Sequence, residues 1–345
     1  MLIKHIFTAF CILILWSSSF ILNAQIKGTE ANPYVLEPSA TTVTWGYYWS
    51  EAPAVLRIQS GDFVTIHTLI TSNPERLLAA GVPQNKIEKE LYDVQTVKER
   101  GPGGHVLTGP IYIEGAEAGD VLEVRFKTID LAIPYGYNAI GQNGFLSDEI
   151  FERKTKIIEL NKEKMLGYFN DSIAIPLHPF FGSAGVAPPK EVGKWNSAPP
   201  WINAGNLDNK ELVAGSALFI PIHVKGALFE VGDGHAAQGN GEVDITAIET
   251  SLIGTLQFIL HKGKSLRWPR AETKTHIIAM GCDRDLNAAT RIAVREMILY
   301  LMEEKHLSKS DAYMLCSVAV DVNITQLVDG NVGVHAMLPK SIFIK

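Results

Sequence analysis

Residues 41–49 read TTVTWGYYW, and this stretch decides the fold class. Four β-branched and four aromatic residues flank a single glycine. Such side chains favour a pleated, half-buried surface over a helix, where they lose rotamer freedom. The pattern repeats outward. Residues 54–58 and 63–70 have the same character across the turn Ser60-Gly61-Asp62, and 111–113 and 121–129 form a further pair across a Gly-rich turn at 115–120. Short strands at this spacing indicate a β-sandwich or barrel. Residues 74–104 are more polar, and 85–91 reads as a helical insertion. Residues 130–210 are loop-rich, with Gly141-Gln142-Asn143-Gly144, Pro188-Pro189 and Pro199-Pro200, and read as the wall of a site rather than as a linker. Strands resume at 217–224, 242–249, 254–261 and 275–280. One strong helix follows over 286–304: Asp285 is a good N-cap, and Leu286, Ala289, Ile292, Ala293, Met297 and Leu301 share a face. A shorter helix runs from Ser308 to Val318, and a hairpin, 322–328 with 332–338, closes the chain around Asp329-Gly330. The expected fold is α+β, mainly β: a β-sandwich-like core with a C-terminal α/β portion. It forms one catalytic domain over 26–345, with a sub-boundary near 250–275.

The 345 residues suffice for a large core, and 46% hydrophobic with 20% charged residues is a globular balance. A net charge of -6 without any basic run argues against a nucleic-acid partner. The N-terminus has Lys4, an apolar run over 6–22 and then Asn23-Ala24-Gln25, the layout of a secretory signal. Cleavage near Ala24 or Gln25 is expected to remove residues 1–25, leaving no stable membrane anchor and placing the protein in the periplasm or medium. Cys282 and Cys316 lie in the apolar settings AMGCD and YMLCSV and read as core residues rather than as a bridge or a nucleophile.

The chemistry concentrates in residues 232–242, GDGHAAQGNGE. In an extended segment Asp233 and His235, two apart, project to one side. A carboxylate and an imidazole so placed can share a metal ion, or the carboxylate can orient the imidazole as a base. Gln238 and Glu242 follow, and the interspersed glycines permit close backbone approach to a ligand. The same letters also suit a polar turn between strands. His105 in GPGGHVLTGP, and Asn206 with Asp208 in GNLD, are further candidates, although a lone histidine and an Asn-x-Asp turn are by themselves more often structural. His67, His223, His261 and His335 sit in apolar strand contexts. No GxSxG elbow, phosphate-binding loop or CxxC pair is present, and Ser183 in FGSAG has no evident partner base.

Taken together, the segments GDGHAAQGNGE, GHVLTGPIYIEGAEAGDVLEV and AGNLDNKEL, with IAMGCDRDLNAATRIAVREMI and the stretch 311–343, resemble the acetamidase/formamidase family in content and order. The likeness covers the chain from about residue 33 to its end. It implies an enzyme that hydrolyses the C–N bond of small linear amides, a mainly β fold, assembly as a homo-oligomer, and a divalent metal, zinc or alternatively calcium. On this sequence it implies Asp208, Asp233 and His235 as metal ligands, with His105 catalytic or a further ligand. Glu242 would be the general base, and Gln238 or Asn206 a donor to the oxyanion. Two alternatives stay open: an exported non-catalytic binding protein on the same fold, and a metal hydrolase of another bond, such as an ester or lactam. The chain departs from the family pattern at Asn240, where Asp is usual, at Ala118, where Pro is common, and near Asp244. Asn240 is expected to change either the charge balance of the site or its substrate.

Overall fold

Residues 41–49 fold as two short strands, Val43–Trp45 and Tyr47–Trp49. They part at Gly46, whose φ is +82° and where a Cβ would stand 2.4 Å from the Gly103 carbonyl oxygen. Only glycine tolerates both conditions. The computed structural model describes residues 27–344, so the expected signal segment, 1–25, lies outside the described residues. Among those described, no helix is long and apolar enough to cross a membrane.

Two sheets face each other. The first, of eleven strands, runs from the edge Ile173–Pro176 through Leu166–Asn170, Thr155–Asn161, Tyr135–Ala139, Glu249–Thr250, Phe229–His235 and Phe180–Gly185 to Ala204–Asn206. Val106–Ile113 joins it along Phe229–His235. The second, of nine strands, is built around Leu252–His261, which pairs with both Phe63–Thr68 and Val121–Leu131. Leu252–His261 and Arg270–Glu272, on either side of residues 262–269, belong to this one sheet. Phe229 of the first sheet meets Phe258 of the second edge-on at 5.1 Å, and Phe181 meets Phe126 at 6.3 Å. These aromatics anchor the sandwich core.

The C-terminal portion follows the sequence closely. Leu286–Lys305 is a helix capped by Asp285, whose Oδ1 accepts from Ala288 N at 2.8 Å. Its buried Ala289, Ala293, Met297 and Leu301 pack on the strands His276–Asp283 and Val332–Pro339. Lys309–Ala319 is the second helix, capped by Ser308, and Asp321–Gln326 completes the hairpin. Cys282 and Cys316 are free and buried.

Elsewhere the expectations change. Residues 130–210 are loop-rich as expected, yet they also carry much of the first sheet. They supply seven strands, among them Phe180–Gly185, buried along its whole length. Its FFGSAG sequence hides the strand because small residues on both faces erase alternation. Residues 242–248 are not a strand, and only Glu249 of the expected segment joins a sheet: Glu242 and Ile245 take left-handed backbone, φ 45° and 77°, which breaks any ladder before it. The strand lies earlier, at Phe229–His235, and runs into the DGH motif itself. The helical insertion is larger than residues 85–91. It comprises the helices Pro74–Ala79 and Lys89–Val94 with a 3-10 turn between them, packed through Leu77, Leu91 and Val94 against Tyr135 and Tyr137.

One buried carboxyl of this core stands apart from the site. Burial pushes Glu230 from its ordinary 4.5 up to about 8, against the hydrogen bond that Thr44 donates to it at 2.5 Å. A carboxyl raised on folding favours the protonated native state. Its contribution is complete below pH 4.5 and is lost as pH rises through 8. Glu230→Gln is therefore expected to remove about 3 kcal/mol of the fall in stability between pH 5 and pH 8. Denaturant unfolding of both proteins at the two pH values checks this, and equal slopes would contradict it.

Candidate active site

Cross-strand register assembles the centre. His235 ends the strand Phe229–His235, directly opposite Glu249 on one neighbour and Phe180 on the other. Its Nε2 lies 3.2 Å from Asp233 Oδ2 and 3.3 Å from Glu249 Oε1. Asp233 Oδ1 accepts from Thr71 Oγ1 at 2.7 Å. From the far side of Phe180–Gly185 comes Asp208, whose N–H donates to the Gly182 carbonyl at 3.1 Å and whose Oδ2 accepts from Asn206 Nδ2 at 2.8 Å. His105 brings Nε2 to 3.8 Å from Asp233 Oδ2, while its Nδ1 meets Ser197 Oγ at 2.9 Å. Glu242 sits on the loop after the strand, tied to the C-terminal hairpin by Gly241 N to Thr325 O (2.9 Å) and Leu327 N to Gly241 O (3.0 Å).

Asp208, Asp233 and Glu242 all adopt positive φ, at 48°, 55° and 45°. Each such residue stores roughly 1–2 kcal/mol of backbone strain. Strain gathered on three carboxylates of one cluster marks a site where aim outweighs stability.

These residues surround a cavity of about 60 Å³. Of the sequence candidates, His105, Asn206, Asp208, Asp233 and Glu242 line it. His235 stands behind Asp233 and Glu249. Gln238 is not a free donor: its Oε1 accepts from His235 Nδ1 at 2.9 Å, and its Nε2 donates to the Asp208 carbonyl at 2.8 Å. Both ends of the amide are engaged, so Gln238 positions the imidazole. Asn240 is exposed and does not line the cavity, so its lost charge leaves the centre's own balance unchanged. Glu249, Asp329, Thr71 and Tyr137 line the cavity without having been singled out in the sequence. Gly182 was missed as well. A Cβ there would stand 2.6 Å from Asp208 Oδ1 and 2.7 Å from both Asp233 Oδ2 and His235 Cε1.

Five carboxyl groups and one imidazole line the cavity, and His235 adds a second imidazole beside it. Burial raises Asp208, Glu242 and Glu249 above the usual carboxylate range, with neighbouring carboxyls adding to it, and takes Asp329 to about 6. Burial would raise Asp233 too, but His105 and His235 beside it hold it well below that range. Burial would lower His235, and Glu249 with Asp233 lift it well above its ordinary value. The centre thus demands positive charge. Because Gln238 fixes a proton on His235 Nδ1, the neutral imidazole turns the Nε2 lone pair toward two carboxylates. That contact is repulsive unless a second proton or a cation lies between them.

A cation fits these donors. Two groupings, Asp208–His235–Glu242 and Asp233–His235–Glu249, bring their ligand atoms within 4.8 Å of one another. Asp208 Oδ1, His235 Nε2 and Glu249 Oε2 are buried without a hydrogen-bond partner. Ligands roughly 2.1 Å from one tetrahedral ion stand about 3.4 Å apart, close to the spacing around His235 Nε2. A ligating histidine normally donates its other N–H to a fixed acceptor, as His235 does to Gln238.

The fold and the site define a two-sheet sandwich with a buried carboxylate–imidazole centre. The sequence pattern of the Acetamidase/Formamidase family matches residues 44–198 and 194–345, and the chain belongs to that family. An acetamidase of Mycolicibacterium smegmatis is 27% identical over 202 residues, 41% of this chain and 49% of that protein. A formamidase of Methylophilus methylotrophus is 26% identical over 198 residues, 40% of this chain and 47% of that protein. The chain spans about half the length of the curated relatives it matches. The crystal structure of an acetamidase from Yersinia enterocolitica, 29% identical, aligns with a TM-score of 0.78 over 92% of this chain and 96% of that one.

Proposed function

We propose that the protein hydrolyses the C–N bond of small linear amides with water, releasing ammonia and a carboxylate. The observation that carries this reading is the convergence of carboxyl and imidazole groups on a cavity of about 60 Å³, room for an amide of formamide or acetamide size. Family membership and the names of the relatives support it. Asp233, His235 and Glu249 would hold a divalent cation, with Asp208 facing the same space. Bound there, zinc, or calcium given the predominance of oxygen donors, would polarise the amide carbonyl and make water more acidic. Glu242, inside the cavity, takes the proton of the attacking water. His105 and Asn206 bring side-chain N–H groups to the cavity lining and meet the carbonyl oxygen as charge develops on it. Gln238 and Thr71 act by holding His235 and Asp233 in place. The same reading has the enzyme exported, on the composition of residues 1–25, and assembled from identical subunits, on the family resemblance.

The test is ammonia release from formamide, acetamide and longer amides by the purified protein, with its metal content measured alongside. Turnover that falls as the acyl chain outgrows the cavity is expected. Tight amide binding without ammonia would replace this reading with a binding protein. Turnover of esters or lactams alone would replace it with a hydrolase of another bond.

A further inference from the structure

Next to the catalytic cavity lies a second, larger space of about 620 Å³, within the usual range for small-molecule sites, roughly 300–1,000 Å³. Thr246 lines both. The strands Thr155–Asn161, Leu166–Asn170 and Ile173–Pro176, at the edge of the first sheet, give the larger space an apolar wall through Ile158, Phe169 and Ile175. Three further parts of its wall belong to the segments that carry Asp208, His235 and Glu249. Lys210 follows Asp208 by two residues, Ala237 follows His235 by two, and Ile248 immediately precedes Glu249. These segments are tied together: Ile248 N donates to the Ala237 carbonyl at 2.9 Å, and Gln238 Nε2 to the Asp208 carbonyl at 2.8 Å. Gln238, half-buried, lines the larger space while its amide holds His235 and Asp208. Whatever occupies that space therefore touches the residue that sets the imidazole. The lining also carries cationic and N–H donor groups. Lys210 Nζ meets one carboxylate among the described residues, Glu211, at 3.9 Å, beyond hydrogen-bond reach. His178 is exposed and has no ion-pair partner among the described residues. An apolar wall with an ammonium so loosely paired suits a carboxylate on a short hydrocarbon chain.

We propose that this space is a second ligand site, which binds a short-chain carboxylate of hexanoate size and raises turnover through Gln238. The binding stands on its own geometry, and the effect on turnover rests on the amidase reading. The hydrocarbon chain packs on Ile158, Phe169 and Ile175, and the carboxylate accepts from Lys210 and His178. The occupant excludes water from the side chain of Gln238. In drier surroundings the hydrogen bonds that tie Gln238 to His235 and to the Asp208 carbonyl strengthen. The imidazole is then held more firmly in its working orientation, with no contact between the effector and the substrate.

The test begins with calorimetric titration of the purified protein with sodium hexanoate. One site per chain with a Kd of about 1 mM or below is expected. Phe169→Ala and Lys210→Gln should each weaken binding by about fivefold or more, and hexanol should bind more weakly than hexanoate. With acetamide as substrate, saturating hexanoate is expected to raise kcat by about threefold and to leave KM no higher. In Gln238→Ala hexanoate still binds, but kcat no longer responds to it. No binding, binding that neither variant weakens, or hexanol bound as tightly as hexanoate would each overturn the site. Competition with acetamide would move the ligand into the catalytic cavity and overturn the site as well. A kcat that stays level or falls, or one that still responds in Gln238→Ala, would overturn the coupling. No ammonia from the native protein under any condition would defeat the amidase reading and the effect on turnover with it, while the titration still decides the site.

Discussion

Replacing His235 by alanine is expected to strip the centre of its cation and to lower kcat/KM on acetamide by at least about 10³-fold. His235 is the imidazole shared by both ligand groupings. Without it, Asp233 and Glu249 face each other across an empty space, with only His105 near Asp233 to offset their charge. Removing one partner from a buried charged set typically costs about 3–5 kcal/mol, so Tm should fall as well. Gln238→Ala supplies the graded comparison. It leaves every ligand atom present but frees the imidazole to turn, and should weaken metal affinity or activity by about 10–100-fold. Metal analysis with steady-state kinetics checks both. Full occupancy in the alanine variant of His235 would sink the ligand assignment.

Gly182→Ala is expected to be nearly as damaging, although it removes no chemical group. The added Cβ would lie under 3 Å from Asp208, Asp233 and His235 at once. None of the three can step aside freely: Asn206 holds Asp208 at 2.8 Å, Thr71 holds Asp233 at 2.7 Å and Gln238 holds His235 at 2.9 Å. Misplacement by about 1 Å can reduce catalysis 10²-fold, and overpacking of this kind costs about 1–3 kcal/mol. Gly239→Ala is the control, since nothing lies within 4 Å of its added Cβ. Equal activity of the two alanine variants would falsify the idea that Gly182 floors the site.

Much of this arrangement was legible because it is local. Asp285 and the 3.6-residue spacing after it give a helix that no tertiary contact overrides. Asp233 and His235 advertise themselves by their glycine surroundings. What escaped depends on partners distant in the chain. Glu249 belongs to the site only because antiparallel register sets it opposite His235. Asp329 is half of an Asp-Gly dipeptide, a normal turn signal, and nothing nearby shows that the turn points at Asp208 and Glu242. Gly182 lies in a segment whose small residues suggest irregular chain, when Gly182 itself is small because the centre sits against it. Asn240 misled in the opposite direction: it is two residues from Glu242 in sequence, yet the backbone reversal between them leaves it exposed.

The long reach of these contacts also bears on the order in which the molecule forms. Thr71 and Asp233 hydrogen-bond across 162 residues, His105 and Ser197 across 92, and Asp329 arrives sixteen residues from the C-terminus. A topology so dominated by non-local pairing folds slowly, because loop closure precedes its reward. No fragment that ends before the last hairpin holds the complete lining of the cavity, because Asp329 comes from that hairpin. Closure of the cavity therefore belongs to the last step of folding.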